Sequence, residues 1–322
     1  MEAHPRVSIV IVCMNRLDNL YPCLQGIERY CTGECETIVV AYQFDNDNLT
    51  RVKEDFPWVR FIVSSATRGF SENNNLALSI ARGEYCFILN DDTLINEDVT
   101  GHLLQDFSVL PERTAIVSPR INNPDGSLQL CGRPKYPSYK YLLQQWHLYS
   151  EPTDDTLGRT PDAEFAKRRL FSTSNITGAA FMIRTAVFRE LGWFDERYFF
   201  TPEDIALSTL AREKGYLVYV DADTSLIHKW KTTASRLAPA VRPAAVKGSL
   251  LFFGRKSRAS LFMLSIGVWL AESAKRSKSY ILMKLRPSTE NRTKHLVFKN
   301  ISNSIFSNKS PKELFLYFKE EL

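Results

Sequence analysis

The sequence predicts an α/β fold, a mostly parallel sheet with helices on both sides, and three observations carry that expectation. Apolar, β-branched runs of strand length recur at Val7–Val12, Glu36–Val40, Val59–Val63 and Tyr85–Leu89. Helix-like stretches run from Leu17 to Tyr30 and around Leu76 and Ile80. Polar residues then gather just beyond strand ends: Asn15-Arg16, Thr67-Arg68-Gly69 and Asn90-Asp91-Asp92-Thr93. In such sheets ligands bind beyond the carboxyl ends of the strands.

Taken in order, Val7–Val12 is β-branched and reads as a buried strand. Leu17–Tyr30 follows as a helix. The second strand, Glu36–Val40, is broken by Asp45-Asn-Asp-Asn48, which reads as a loop. After the third strand, Ser71 reads as a helix cap and Gly83 as the stop of that helix. Tyr85–Leu89 is apolar throughout, hence buried on both faces. Residues 131–172 are aromatic, proline-bearing and charged without periodicity, and read as a long loop or short helices suited to acceptor contacts. Asn175–Ile183 reads as one strand, Thr185–Leu191 as a short helix and Gly192–Asp195 as a turn. Pro202-Glu203-Asp204 opens a helix to about Lys214, and Tyr216–Val220 is a strand.

The 322 residues are 44% hydrophobic and 24% charged, enough for a sizeable core and against wholesale disorder. The net charge of +5 conceals an asymmetry. From Lys229 onward 19 Lys and Arg face 5 Asp and Glu, leaving 22 basic against 31 acidic residues before it. An acidic body therefore carries a basic tail. The body suits carboxylates that bind metal, and the tail suits an anionic membrane surface or a nucleic acid. No nucleic-acid module accompanies the tail, and the acidic body would repel phosphate, so nucleic acid is not expected as a partner.

None of the six cysteines forms a CxxC pair, and Cys31 and Cys35 are the only close ones, so neither zinc nor a disulfide framework is expected. Val7–Val12 is too short for a signal-peptide core. The longest apolar segment, Ala259–Ala271, falls short of a membrane span. The expected location is the cytoplasm, with peripheral contact at the inner face of the plasma membrane. Apolar clusters interleaved with cations in Phe252–Lys256, Leu261–Leu270, Lys275–Lys278 and Tyr280–Leu285 suit helices lying in a membrane interface. The alternative is ordinary packing of amphipathic faces. The division expected is a catalytic domain over 1–235 and a basic helical region over 236–322.

Asp91 and Asp92 are adjacent carboxylates after an apolar strand, where a hard cation such as Mg²⁺ or Mn²⁺ would relieve their repulsion; a solvated turn is the alternative. Glu203 and Asp204 open a helix, where the macrodipole alone favours acids, but a carboxylate beside a cleft also serves as a general base. His228, after Asp221 and Asp223, is a candidate metal ligand. Gly178 within a strand suggests close approach of a ligand or another backbone, or else a bulge.

Together these segments resemble the family 2 glycosyltransferases, in particular their bacterial rhamnosyltransferase-like branch. The resemblance rests on Val7–Arg16, Thr67-Arg-Gly-Phe-Ser-Glu-Asn-Asn-Asn75, Ala81–Thr93, Ser118-Pro-Arg with Asn123-Pro-Asp-Gly-Ser127, Thr177-Gly-Ala, Gly192-Trp-Phe-Asp-Glu196, Glu203-Asp204 and His228, in order over about residues 5–235. It implies a nucleotide-diphospho-sugar transferase fold of the GT-A type with a mixed, mostly parallel sheet and a C-terminal helical extension. It further implies an inverting, metal-dependent transfer from a nucleotide-diphospho-sugar to a glycan or lipid-linked saccharide in O-antigen, capsule or exopolysaccharide assembly. Asp204 looks like the base, with Glu203 beside it. Asp92 looks like the metal ligand, joined by Asp91 and His228. Asn15, Arg68, Asn75, Asn90, Asp91 and Gly178 fall where the family meets the nucleotide sugar, and Trp193 and Asp195 where it lines the acceptor side. In one respect the sequence departs: the family's Asp-Asn-x-Ser loop is replaced by Ala41-Tyr42-Gln43-Phe44, with Asp45 and Asp47 a few residues later. Rival readings are a decayed member acting as a scaffold or binding protein, supported by that loop, and a nucleotidyltransferase, which would release pyrophosphate.

Overall fold

The computed structural model describes residues 4–31, 33–133, 135–150, 170–229 and 237–322. They group into two compact units. The first takes the described residues of Met1–Lys135, Pro152–Asp195 and Asp204–Thr232; the second takes those of Tyr136–Glu151, Glu196–Glu203 and Thr233–Leu322.

The first unit is built on a sheet of nine strands among the described residues. Four are parallel: β1 (Val7–Cys13), β2 (Cys35–Tyr42), β3 (Arg60–Ser64) and β4 (Tyr85–Asn90). β10 (Ala180–Arg184) runs antiparallel to β4 and joins it to β6 (Thr114–Asn122). β11 (Leu217–His228) is parallel to β6 and carries the two short strands β5 (Thr93–Leu94) and β8 (Leu170–Ser172). The order is β3-β2-β1-β4-β10-β6-β11-β5, a mixed and mostly parallel sheet as the sequence predicts.

Strand periodicity sorts the core into two layers. Val7, Ile9 and Ile11 of β1, Phe87 and Leu89 of β4 and Met182 of β10 face one side. There they meet Leu20, Leu24 and Ile27 of α1 (Leu17–Tyr30) and Leu103 and Phe107 of α4 (Val99–Val109). Val10, Cys86, Ile88, Phe181 and Ile183 face the other side. They meet Leu78 of α3 (Phe70–Leu78), Phe188 of α6 (Thr185–Glu190) and Leu207 and Ala211 of α7 (Glu203–Glu213). Cys86 is thus the small hydrophobe its strand implies, and all six cysteines are free thiols.

Several local expectations are corrected. Asp45-Asn-Asp-Asn48 is a helix start, not a loop: Asp45 caps α2 (Asn46–Asp55) by accepting the Asn48 N–H at 2.8 Å. Turn-forming and cap-forming residues are the same types, so composition cannot separate the two. The cap of α3 is Gly69 rather than Ser71, because Glu72 reaches back to the Gly69 N–H at 3.0 Å. α3 ends at Leu78, short of Gly83. Asn175–Ile183 is two strands, β9 (Asn175–Ile176) and β10, with Gly178 in the turn between them. Within 131–172 the structure forms β7 (Gly132–Arg133), paired antiparallel with β9, then α5 (Ser138–Gln145) and β8; residues 134 and 151–169 lie outside the described residues.

The second unit contains α5, α8 (Ala238–Phe253), α9 (Arg258–Leu285), α10 (Thr289–Ser304) and α11 (Pro311–Glu320). Ser257, Ser288 and Ser310 cap the last three through their side-chain oxygens. Phe199, Ala240 and Ala244 pack with Leu314, Phe315 and Phe318, and Tyr141 stacks on Phe253 with ring centroids 4.6 Å apart. No described helix is long and apolar enough to cross a membrane.

Candidate active site

Strand direction places the candidate residues. The carboxyl ends of β1, β2, β3 and β4 share one edge, because these strands are parallel. β10 is antiparallel to β4 and starts at that edge, while β6 and β11 end there. Asn90–Asp92, Gly178 and His228 are therefore brought together from positions far apart in sequence.

Asp92 and His228 meet directly, Oδ1 to Nε2, at 3.1 Å, and both are buried. β5 secures this, since Thr93 pairs with His228 and the Lys229 N–H donates to the Asp92 carbonyl at 3.0 Å. Gln129, which the sequence reading missed, fixes the imidazole. Its amide nitrogen donates to Asn123 Oδ1 at 2.7 Å and to the His228 carbonyl, so its oxygen must face His228 Nδ1, 2.9 Å away. An amide oxygen only accepts, hence Nδ1 carries a proton. Nε2 then faces Asp92 Oδ1, with the Asn90 amide nitrogen 3.4 Å off. An imidazole nitrogen and a carboxylate oxygen, two donor types that divalent ions take, therefore face each other.

Asp91 supports the same fit. Burial, with the Asp92 charge adding to it, pushes its carboxyl up to about 7, against a hydrogen bond from the Cys13 thiol. A buried carboxyl held back from ionising is what a nearby divalent ion would release. Among the described residues no group of three His, Cys, Asp or Glu surrounds a single point. The candidate protein donors are one carboxylate and one imidazole, with Asp91 adjacent. Such a set suits Mg²⁺ or Mn²⁺, which take one or two carboxylates and fill remaining positions with substrate phosphates and water.

Asp204 stands at the start of α7 and is buried. Its Oδ1 accepts the Ile205 N–H at 2.7 Å and its Oδ2 the Gly178 N–H at 3.1 Å. Gly178 thus holds the candidate base with its backbone. Its neighbour Ala179 accepts the Asn90 N–H at 2.9 Å. Asp204 and the Asp91–Asp92 pair are therefore linked through two consecutive backbone residues. Arg133 is a second residue the sequence reading missed: its guanidinium lies 3.8 Å from Asp204 Oδ2 and 3.4 Å from Thr177 Oγ1. Glu203 is also buried and belongs to the second unit.

After β1, Asn15 adopts a left-handed φ of 52° and donates to Asp45 at 2.8 Å, while Asn48 donates to the Asn15 oxygen at 3.0 Å. Asparagine tolerates that conformation. After β2 the structure sets the Asp45 carboxylate beside Asn15, while Asp47 lies in the first turn of α2. Arg68 is held by Ser64 Oγ at 3.0 Å, and Tyr42 hydroxyl accepts its backbone N–H at 3.3 Å. Asn75 bonds to the chain across a long sequence separation. Its amide donates to the Phe194 carbonyl at 3.0 Å and accepts the Phe194 N–H at 3.1 Å, a clamp on the turn between Trp193 and Asp195. Trp193 itself, at a φ of 65°, packs on Phe188 and under the Arg189 guanidinium.

Residues 8–192, more than half of the chain, match the model of the family described as "Glycosyl transferase family 2". The chain is 26% identical over 257 residues to the O-antigen biosynthesis protein RfbC of Myxococcus xanthus, covering 74% of this chain and 18% of that protein. It is 26% identical over 121 residues to the poly-beta-1,6-N-acetyl-D-glucosamine synthase of Staphylococcus epidermidis, covering 36% and 29%. The chain thus spans less than a third of either curated relative. Among solved structures it resembles the mannosyltransferase PcManGT of Pyrobaculum calidifontis, in complex with GDP-Man and Mn²⁺, with a TM-score of 0.54 at 14% identity over 96% of this chain and 89% of that one. It also resembles GalNAc-T7 with UDP, GalNAc and Mn²⁺, with a TM-score of 0.52 at 16% identity over 75% and 48%.

Proposed function

The chain belongs to glycosyl transferase family 2 and has the GT-A fold, and from that premise we propose that it transfers a sugar from a nucleotide-diphospho-sugar to an acceptor hydroxyl by single displacement with inversion. The observation that supports this reading is the backbone link from Asp204 through Gly178 and Ala179 to Asn90, the residue that precedes Asp91 and Asp92.

Asp204 takes the proton of the acceptor hydroxyl as its oxygen attacks the anomeric carbon. The new C–O bond forms as the bond to the diphosphate oxygen breaks, and the nucleoside diphosphate leaves with the electron pair. Arg133 orients Asp204, and Gly178 and Ile205 fix its two oxygens. Asp92 and His228, with Asp91 beside them, would hold a divalent ion, which when bound supplies neutralisation of the charge developing on the leaving diphosphate. Asn15, Asp45 and Arg68 stand toward the nucleotide, and Trp193 and Asp195, on the turn clamped by Asn75, toward the acceptor. The names of the two curated relatives favour a role in O-antigen or other surface-polysaccharide assembly. A lipid-linked saccharide is the acceptor class that fits such assembly.

A thermal-shift panel of UDP-, GDP- and dTDP-sugars with Mn²⁺ or with EDTA tests the proposal. One nucleotide should stabilise the chain by about 2–3 kcal/mol at a hundredfold excess over Kd, and EDTA should abolish the gain. Stabilisation by none of them, or pyrophosphate release from a nucleoside triphosphate, would exclude sugar transfer.

A further inference from the structure

We propose that the solvent face of α9 docks onto an anionic lipid bilayer, lying in its interface without crossing it. This goes beyond sugar transfer and does not depend on it.

α9 is 28 residues long, about 42 Å at 1.5 Å per residue. A helix of that length packed against a core buries its apolar stripe and exposes polar residues. Here large apolar side chains are left outside. Phe262 is 58% exposed, Leu270 48% and Ile281 57%. Phe262, Trp269 and Phe306, the last following α10, form an exposed aromatic cluster, with Phe306 centred 6.3 Å from Phe262 and 6.4 Å from Trp269. Isolated exposed apolar groups need no explanation, but a contiguous aromatic patch on a soluble face marks an interaction surface.

Charge selects the occupant. From Ala238 to Arg286 the sole acid is Glu272, which is buried and bonded to Lys275 at 2.6 Å. The same stretch holds Arg255, Lys256, Arg258, Arg276, Lys278 and Lys284 besides Lys275. A second copy of so basic a face would repel its twin, whereas anionic headgroups attract it while the aromatic rings enter the interfacial layer. The charges also explain why a helix of spanning length does not span: no described helix is long and apolar enough.

The test is co-sedimentation of the full chain with vesicles of phosphatidylcholine alone or with phosphatidylglycerol, at low and high salt. The expected result is binding to the anionic vesicles only, weakened by salt. It should fall at least tenfold in the triple variant Phe262→Ser, Trp269→Ser, Phe306→Ser and in the charge-reversed Lys278→Glu, Lys284→Glu pair. All these side chains are exposed, so melting temperatures of both variants should match the parent and certify the fold. No binding by the parent overturns the proposal, as does undiminished binding by the triple variant. A concentration-dependent dimer without vesicle binding, lost in the triple variant, overturns it in favour of self-association.

Discussion

Asp204→Asn is expected to lower kcat by about 10²–10⁴-fold, the usual contribution of a positioned general base. Nucleotide-sugar binding should stay within about twofold, since the lost group acts on the acceptor proton and not on the donor. The variant also has a structural cost that must be measured separately. Asp204 accepts the Gly178 and Ile205 N–H groups with different oxygens. An asparagine keeps one oxygen and turns an NH₂ toward the other donor, leaving a buried N–H unpaired at a cost of about 1–3 kcal/mol. Turnover should therefore be read well below the melting temperature, with donor affinity by calorimetry. Near-parental kcat in a folded Asp204→Asn protein would exclude Asp204 as the base and direct attention to Glu203.

Asp92→Ala should act at the other end of the site. It is expected to remove the Mn²⁺-dependent part of nucleotide binding and lower kcat/KM by about 10²-fold or more. Gln129→Leu keeps every candidate metal donor but frees the His228 ring, and should cost about tenfold in Mn²⁺ affinity. Asp91 gives this affinity a pH signature. Its carboxyl is raised to about 7, chiefly by burial, so below that pH the folded protein holds a proton that the unfolded chain releases near the ordinary value of 3.8. Without metal, stability falls as pH rises from about 4 to about 7 and then levels, because native protein binds more protons across that window. Mn²⁺ binding expels the proton, so its affinity should climb as pH rises through 7 and flatten above. Denaturant unfolding without metal and Mn²⁺ titration calorimetry, each at several pH values, measure the two slopes. Equal Mn²⁺ affinity in the parent and Asp92→Ala would remove the metal from this edge.

The sheet was legible because its central parallel strands are buried on both faces and leave continuous apolar runs, as in Val7–Cys13 and Tyr85–Asn90. Asp92, Asp204 and His228 could be named because Asp92 follows β4, Asp204 lies in the first turn of α7 and His228 ends β11. Their mutual geometry could not, since the antiparallel insertion of β10 between β4 and β6 is a pairing choice that no local pattern encodes. Gln129 and Arg133 escaped for the same reason: each acts across long sequence separations, on His228 and Asp204. Gly178 was visible as an anomaly in a strand, but its N–H bond to Asp204 becomes evident only once α7 is in place. The bonds of Asn75 to Phe194 were not legible from its motif position, because a side-chain amide is equally suited to a nucleotide and to a backbone turn. α2 was missed because its cap, Asp45, is of a turn-forming type.

The measurement that bears most directly on the active-site assignment is anomalous scattering from crystals grown with Mn²⁺ and the nucleoside diphosphate selected by the thermal-shift panel. One Mn²⁺ peak is expected within bonding distance of Asp92 Oδ1 and His228 Nε2, with diphosphate oxygens on the same ion and Asp204 facing the vacated sugar position. A nucleotide seated away from the end of β4, or a manganese peak that touches neither Asp92 nor His228, would contradict it.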